Sequence, residues 1–229
     1  MRNGKIRALA ALGLAAIMGM GYLAWTANSA HAQEAQTAGA KSGDKPGDKG
    51  PGQMSPEDQK KMAEMYMKAA QPGEEHKKLA EMAGDWDANV TMYEGPAPTK
   101  SAGKMHAEVI MGGRYLMMKF EGNMAMPGAG SMQFHGMGIS GYDNGKKMYV
   151  NTWIDDMGTG ILIAEGTASP DGKVITLRGQ HVDPAGRQRN YRWVTTIESD
   201  DRYTFDWFDS DANGANEFRM LHNTYTRAK

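Results

Sequence analysis

Histidines and aspartates are the side chains in this chain best suited to acid–base or metal chemistry. The sequence contains six histidines and no cysteine, which excludes thiolate catalysis, disulfides and cysteine-bound metals. Beyond residue 32, no two histidines have the H-x-x-x-H spacing of a metal-binding pair; these residues are His76, His106, His135, His181 and His222. The sequence therefore predicts no metal site and assigns no catalytic residue.

A single histidine inside a barrel can still bind a haem iron or act as a general base. His181 or His222 could serve as the axial ligand of a haem. Asp183, which lies close to His181 in sequence, could orient that ring, but no nucleophile accompanies the pair. We favour the simpler interpretation, in which each is an exposed or hydrogen-bonded strand histidine, and we predict no cofactor.

The geometry of β-strands argues against a chemical role for two further motifs. Asp155 and Asp156 stand at a predicted strand end. Because neighbouring strand residues point to opposite faces, the two cannot form a facing carboxylate pair. The segment Gly136–Gly141 matches G-x-G-x-x-G, but it lies in a predicted strand with no helix after it to bind a pyrophosphate. Its glycines indicate a close backbone approach rather than a dinucleotide site.

The elements that position these residues are short strands with alternating apolar and polar side chains. Predicted inward faces include those of Trp86–Met92 and Leu116–Phe120. Hairpin-type turns separate the strands and no helix interrupts them. Further strands are predicted near 104–111, 131–142, 147–155, 160–168, 173–182, 188–198, 202–209 and 216–226. This pattern predicts a mostly β fold, an antiparallel meander that forms a lipocalin-like barrel of about ten strands.

One or two short α-helices are predicted before the barrel. Ser55 is a capping residue, Pro56 suits the first helical position, and two acids follow. This indicates an N-terminal helix within residues 55–72. A second helix, Glu74–Met82, opens the barrel domain, residues 73–229, and is expected to cover one end of the barrel.

The first 32 residues have the features of a secretory signal peptide. Arg2, Lys5 and Arg7 precede an apolar run from Ala8 to Trp25, and Ala30-His31-Ala32 fits the cleavage rule. The alternative is an uncleaved anchor helix, since the apolar run is near spanning length. We predict cleavage after Ala32, a periplasmic or secreted protein, and no stable membrane span after cleavage. Residues 33–54, rich in Gly, Lys, Asp and Pro, are predicted to be a disordered linker.

The overall charge and the methionine content of the chain indicate which kind of partner it could bind. The chain has a net charge of −1 and no basic stripe, so nucleic acid is not a predicted partner. The sequence also contains 20 methionines, and methionine is a flexible filler of apolar interiors. These observations leave a small apolar ligand as the predicted partner and the oligomeric state open.

Four stretches of the sequence resemble an uncharacterised bacterial family, domain of unknown function 1579. The resemblance spans about two-thirds of the chain, from Gly73 to the end, and the family brings no assigned activity or catalytic residues. The stretches are Gly73–His76 with Leu79 and Gly84-Asp85-Trp86, then Met111–Leu116, Phe134–Gly138 with Gly141-Tyr142-Asp143, and Tyr149–Gly160.

Gly84-Asp85-Trp86 is also similar to the G-x-W signature of lipocalins. In that family the tryptophan closes the bottom of the barrel and packs against an arginine from a late strand. The resemblance implies the same role for Trp86, with Arg192 or Arg219 as its cation–π partner.

The leading hypothesis is a non-enzymatic protein that holds a small apolar or amphipathic ligand in its barrel. The expected wall residues are Trp86, Leu116, Met118, Phe120, Trp153 and Trp207. The expected polar groups near the mouth are Arg114, Tyr142 and Asp155.

Two other function classes remain open. A haem protein or hydrolytic enzyme would use His181 or His135 and needs that ring to point into the barrel, beside a carboxylate or an open metal position. A structural or interaction module would have a barrel filled by its own side chains, with no cavity larger than a few waters.

Overall fold

The computed structural model describes residues 54–95, 97–126 and 130–229. The predicted signal peptide, and the linker up to residue 53, lie outside the described residues. Within the described ranges, no helix combines the length and the apolar character needed to cross a bilayer.

Two helices precede ten strands. The helices are α1, Pro56–Ala69, and α2, Glu74–Glu81. The strands are β1 Gly84–Met92, β2 Thr99–Ile110, β3 Tyr115–Met126, β4 Gly130–Asp143, β5 Met148–Asp155, β6 Leu162–Ala168, β7 Val174–Val182, β8 Gln188–Ser199, β9 Arg202–Asp211 and β10 Phe218–Arg227. The predicted mostly β architecture is confirmed.

The ten strands form one closed antiparallel barrel. Each strand pairs with its sequence neighbours, and β1 also pairs with β10, where Trp86 lies opposite Arg227. Every strand therefore has a partner on both sides, and the sheet has no free edge.

Side-chain alternation directs the predicted apolar faces into the barrel. On β1, Trp86, Ala88 and Val90 are buried while Asp85, Asp87 and Asn89 between them are exposed. On β3, Leu116 and Phe120 are buried in the same way. Neighbouring strands carry this pattern around the barrel because antiparallel partners opposite each other share a face.

Helix α1 begins as the sequence predicts and lies on the outside. The Ser55 hydroxyl accepts a hydrogen bond from the Asp58 N–H at 3.1 Å, and Pro56 is the first helical residue. None of the α1 residues is buried. Its C-terminal end is tied to the β4–β5 turn, where the Asn144 amide donates to the Ala69 and Gln71 carbonyls at 2.8 Å each.

Helix α2 plugs one end of the barrel. Leu79 is 6% exposed and belongs to the core that also contains Leu116, Tyr149 and Leu177. The His76 ring accepts a hydrogen bond from the Gly73 N–H at 3.0 Å, which satisfies a free donor of the first helical turn. This end of the barrel is therefore closed by packed side chains.

A hydrogen bond from the Tyr149 hydroxyl to the Glu75 carboxylate joins the plug helix to β5. This bond lowers the pKa of Glu75, and burial together with the same bond raises the pKa of Tyr149. A lowered carboxyl pKa stabilises the fold above the pKa of the unfolded chain, and the contribution is lost as pH falls through the folded-state pKa. The bond should thus stabilise the plug at neutral pH and cease to do so in acid.

We expect Tyr149→Phe to lower the free energy of unfolding by about 1–2 kcal/mol at pH 7. The difference from the parent protein should be constant above about pH 5 and shrink as the pH falls below the ordinary carboxyl range. Urea unfolding at pH 7 and at pH 3 measures both values. An equal difference at the two pH values would mean that the carboxylate plays no part.

The strand glycines of β4 allow a tryptophan to lie against the backbone. A Cβ added at Gly136 would lie 2.8 Å from Cη2 of Trp153, and one at Gly138 would lie 2.9 Å from its Cε3. Trp153 is opposite Gly138 on β5, so its indole covers the space that two side chains would need. The predicted close approach at the G-x-G-x-x-G segment is thereby explained.

Trp86 closes the α2 end with an arginine, but not with one of the two expected from the sequence. Its partner is Arg227, whose guanidinium lies 4.3 Å from the indole centroid. Arg192 lies over Phe208 instead, and Arg219 lies closest to Phe208 and Tyr93. Arg227 is favoured because β10 pairs with β1 and places it directly opposite Trp86.

Candidate ligand cavity

A cavity of about 960 Å³ occupies the barrel and extends to the end opposite α2. Its outer part is bounded by connecting segments, including Glu94 after β1, Met157–Ile161 after β5, and Asp183 and Pro184 after β7. Its inner part reaches Leu79 and Met82 at the plugged end. Among the described residues, the cavity therefore reaches from the plugged end to the loops at the opposite end.

Aromatic and thioether side chains dominate the cavity wall. The aromatic residues are Phe120, Phe134, Tyr149, Trp153, Trp193, Tyr203, Phe205, Trp207 and Tyr225, and the methionines are Met82, Met92, Met105, Met118, Met124, Met157 and Met220. Trp193 and Trp207 contact each other edge to face at a centroid distance of 5.7 Å. Such a wall is apolar, rich in ring faces, and adaptable where methionine contributes.

Six of the nine predicted site residues line this cavity. They are Leu116, Met118, Phe120, Trp153, Asp155 and Trp207. The six come from β3, β5 and β9, and the barrel brings them together because all face inward.

The other three predicted residues, Trp86, Arg114 and Tyr142, belong to the plugged end. Trp86 is 2% exposed, and its indole N–H donates to the Met82 carbonyl at 3.0 Å. Arg114 follows β2 and donates to the Met111 carbonyl, while Tyr142 packs against the ring of His76. Arg114 and Tyr142 are thus far from the mouth at which the sequence analysis placed them.

Asp155 stands inside the outer part of the cavity. Its Oδ2 accepts a hydrogen bond from the Trp153 indole N–H at 2.8 Å, and its Oδ1 accepts one from the Met157 N–H at 3.0 Å. Asp156, the next residue, faces the outside and accepts from the His135 N–H and ring. The carboxylates of Asp155, the last residue of β5, and of Asp156, which follows it, therefore point in opposite directions.

His181 also lines the cavity, and its carboxylate partner is Asp209 rather than Asp183. The distance from His181 Nε2 to Asp209 Oδ2 is 2.8 Å, and Asp209 is 4% exposed. Arg189 lies on β8, the strand between β7 and β9, and donates hydrogen bonds to both Asp209 and Asp211. Asp183 instead accepts from Arg187 and from the amides of its own turn.

The other two histidines considered for chemistry lie outside the barrel. His135 is exposed on β4 beside Asp156, and His222 on β10 is 2.7 Å from an oxygen of Asp206. Neither ring lines the cavity. Among the described residues, no three His, Asp or Glu side chains converge as a metal site would require.

A second concave surface lies on the outer face of β1–β5, with a volume of about 930 Å³. A row of outward side chains of alternating charge crosses it in strand order, namely Asp87, Lys104, Glu121, His135 and Asp156. Within this row His135 Nδ1 lies 3.0 Å from Asp156 Oδ2, and residues of like charge do not lie directly opposite each other.

The His181–Asp209–Arg189 cluster is what sequence reasoning missed at this site. Asp209 ends the strand predicted near 202–209 but was given no role, and in the structure it belongs to β9 and faces inward. The signal that predicts it is alternation: Tyr203, Phe205 and Trp207 define an inward face on which Asp209 is the next member.

Comparison with known proteins identifies one family. The family model described as Protein of unknown function (DUF1579) matches residues 71–227. No curated protein is significantly similar in sequence to the chain.

Three solved structures are similar to part of the chain at low sequence identity. Rv2717c from M. tuberculosis is 14% identical, with a TM-score of 0.49 over 69% of this chain and 100% of that one. A redesigned beta barrel, b11L5F_LGL, is 16% identical, with a TM-score of 0.34 over 66% of this chain and 95% of that one. EF1p2_mFAP2b bound to DFHBI is 14% identical, with a TM-score of 0.34 over 67% of this chain and 98% of that one.

Proposed function

The chain belongs to the family Protein of unknown function (DUF1579), and we propose that it binds a small apolar or amphipathic molecule inside its barrel without converting it. The observation that carries this proposal is the cavity of about 960 Å³, open at one end and lined mainly by aromatic and methionine side chains. Pockets that bury most of a drug-sized ligand have volumes of about 300–1,000 Å³. The cavity is therefore large enough for one such molecule.

The cavity argues against a barrel filled by its own side chains. That alternative requires an interior with space for no more than a few waters. One water occupies about 30 Å³ of liquid, so a cavity of about 960 Å³ exceeds that limit by an order of magnitude. The cavity thus supports a binding barrel over a structural module with a filled interior.

Methionines on the wall suit a ligand of loosely defined shape. Their unbranched thioether side chains change rotamer at little cost and fill irregular gaps. The cavity has seven of them, distributed from the plugged end at Met82 to the mouth at Met157. Binding of this kind depends more on burial of apolar surface than on a fixed set of hydrogen bonds.

We also propose that the protein acts outside the cytoplasm. The support is the sequence of residues 1–32, with its basic start, apolar centre and Ala30-His31-Ala32 cleavage motif. An exported binding protein without cysteine would keep its activity in an oxidising compartment.

A pair of neighbouring substitutions on β2 tests the binding proposal. Ser101 faces the cavity, whereas Ala102 is exposed on the outer face. We expect Ser101→Trp to weaken binding of the neutral fluorescent probe N-phenyl-1-naphthylamine by about tenfold or more, because the indole takes up cavity space. Ala102→Trp adds the same side chain outside and should leave the dissociation constant within about twofold.

Fluorescence titration measures these affinities, and circular dichroism and thermal unfolding show that both variants are folded. Native mass spectrometry of protein exported by a host cell identifies the first residue of the mature chain. It also detects any ligand that the protein has captured. Equal probe affinity for the two variants would place binding outside the barrel and end the proposal.

Hydrolysis is the second candidate function, favoured by one observation. His181 lines the cavity, and the buried Asp209 holds its Nε2, an arrangement that fixes the tautomer of a general base. No serine, threonine or tyrosine hydroxyl among the described residues is hydrogen-bonded to His181. Incubating the protein with its captured ligand and analysing what is recovered distinguishes the two functions. A binding protein releases the ligand unchanged, whereas a hydrolase releases its products.

A further inference from the structure

The cavity has an uneven distribution of charge. Among the described residues that line it there is no lysine or arginine, whereas three carboxylates are present, Glu94, Asp155 and Asp183. Asp183 is ion-paired with Arg187, with a distance of 2.7 Å between Arg187 Nε and Asp183 Oδ2. An anionic ligand would therefore meet no opposite charge inside this cavity.

Asp155 is the carboxylate best placed to meet a ligand. It is half-buried, and its two hydrogen-bond donors, the Trp153 indole and the Met157 amide, are neutral. No Lys, Arg or His nitrogen among the described residues is within 4.0 Å of its carboxylate. The negative charge of Asp155 is thus oriented by the protein but not neutralised by it.

The inward-facing carboxylate on the other side of the barrel shows the contrast. Asp209 has Arg189 at 2.6 Å and His181 at 2.8 Å, so its charge is balanced within the fold. Burial of a carboxylate without a counter-charge is unfavourable unless a partner arrives from outside. Asp155 has the surroundings of a group whose partner is the ligand.

Aromatic rings of the same cavity favour the same kind of partner. Trp153 donates to Asp155 and is held against the β4 backbone by Gly136 and Gly138. Phe120 and Phe134 line the same cavity, 5.8 Å apart in an edge-to-face contact. Faces of tryptophan and phenylalanine attract organic cations, and a desolvated site strengthens this attraction.

We propose that the ligand is an organic cation, with an ammonium group against Asp155 and an apolar body between the aromatic side chains further inside. This inference rests on the proposed binding function and adds the charge of the ligand to it. Fatty-acid-like carboxylates are the class that it excludes, because their head group would lie beside Asp155 with no arginine or lysine in the cavity.

Three probes that share a naphthalene ring and carry head groups of different charge test the inference. They are 2-naphthylmethylammonium, 2-naphthylmethanol and 2-naphthoate, titrated by calorimetry at pH 7. We expect the ammonium to bind about tenfold more tightly than the alcohol, since a hydrogen bond between two charged groups is stronger than one from a neutral hydroxyl. The carboxylate should bind more weakly than the alcohol.

Asp155→Asn and Asp156→Asn are the matched variants. Asp155→Asn removes the charge, and its single amide oxygen can keep one of the two hydrogen bonds, that from the Trp153 indole, while the Met157 N–H loses its acceptor. Circular dichroism and thermal unfolding check that this variant keeps the fold. We expect it to bring the ammonium within about twofold of the alcohol and to leave the affinity for the alcohol unchanged. Asp156→Asn alters the same charge on the outer face and should leave the full preference for the cation.

The outcomes separate this inference from the function on which it rests. If none of the three probes binds, the proposed function itself fails. If all three bind alike, or if the cation preference survives Asp155→Asn, the cavity binds ligands but Asp155 does not select their charge. A preference lost in Asp155→Asn and kept in Asp156→Asn supports the proposal.

Discussion

Replacing Gly166 with alanine is expected to lower the free energy of unfolding by about 3 kcal/mol or more. Gly166 lies in β6 opposite Leu177 of β7, and an added Cβ would be 2.9 Å from the Leu177 Cα and closer still to the Thr176 carbonyl oxygen. These atoms belong to the backbone, so no side-chain rotation relieves the overlap. The two strands would have to separate and give up hydrogen bonds between them.

Gly158→Ala is the control for this prediction. Gly158 lies in the β5–β6 connection, has no atom within 4 Å of an added Cβ, and does not adopt a positive φ. Alanine there should leave stability unchanged or raise it slightly, because the unfolded chain loses conformational freedom. Urea unfolding compares the two variants, and equal midpoints would show that β6 and β7 are not in close contact at Gly166.

Trp86→Ala is expected to lower the free energy of unfolding by about 3–5 kcal/mol. The substitution removes a side chain that is 2% exposed, together with its hydrogen bond to the Met82 carbonyl and its edge-to-face contact with Tyr203 at 4.7 Å. Typical domains are stable by about 5–15 kcal/mol, so this loss is a large fraction of the total. Thermal unfolding followed by circular dichroism measures the loss.

A double-mutant cycle separates the cation–π contact from simple burial. Arg227→Leu removes the guanidinium that lies over Trp86 and that donates to the Ala83 carbonyl at 2.8 Å. If the contact is energetically real, the double variant should lose about 0.5–2 kcal/mol less than the sum of the single losses. Strict additivity would mean that the two residues close the barrel independently.

Alternation along each strand made the fold predictable from the sequence. One face of β1 carries Trp86, Ala88 and Val90, and this period of two allows only a strand with one side buried. Turn signals such as Asp143-Asn144-Gly145 then set the strand boundaries, and that segment is indeed the β4–β5 turn. Patterns that repeat over a few residues were sufficient because each hairpin is formed by neighbours in sequence.

Contacts between distant strands were not predictable in the same way. The partner of Trp86 was sought on the late strands at Arg192 and Arg219, but the register of β10 against β1 selects Arg227. His181 was likewise given the nearby Asp183, whereas its partner Asp209 is two strands away. Such pairings depend on strand register across the barrel, which local patterns leave open.

Two residues, Arg114 and Tyr142, were predicted at the cavity mouth but lie at the other end of the barrel. The direction of successive strands explains why. In an antiparallel meander the connections alternate between the two ends of the barrel. Arg114, between β2 and β3, and Tyr142, near the end of β4, share an end with the start of β1, where α2 enters. Counting connections would have assigned both to the plugged end and Asp155 to the open one.

The pairing of β1 with β10 gives the barrel a definite order of assembly. Every other pairing joins consecutive strands and closes a short loop, whereas this one joins the two ends of the sheet and is the last that the chain can make. Such long-range contacts slow folding, and until they form, β1 and β10 present unpaired edges to other chains. The strand Phe218–Arg227 therefore decides whether the sheet closes into a barrel or stays open with edges that other chains can pair with.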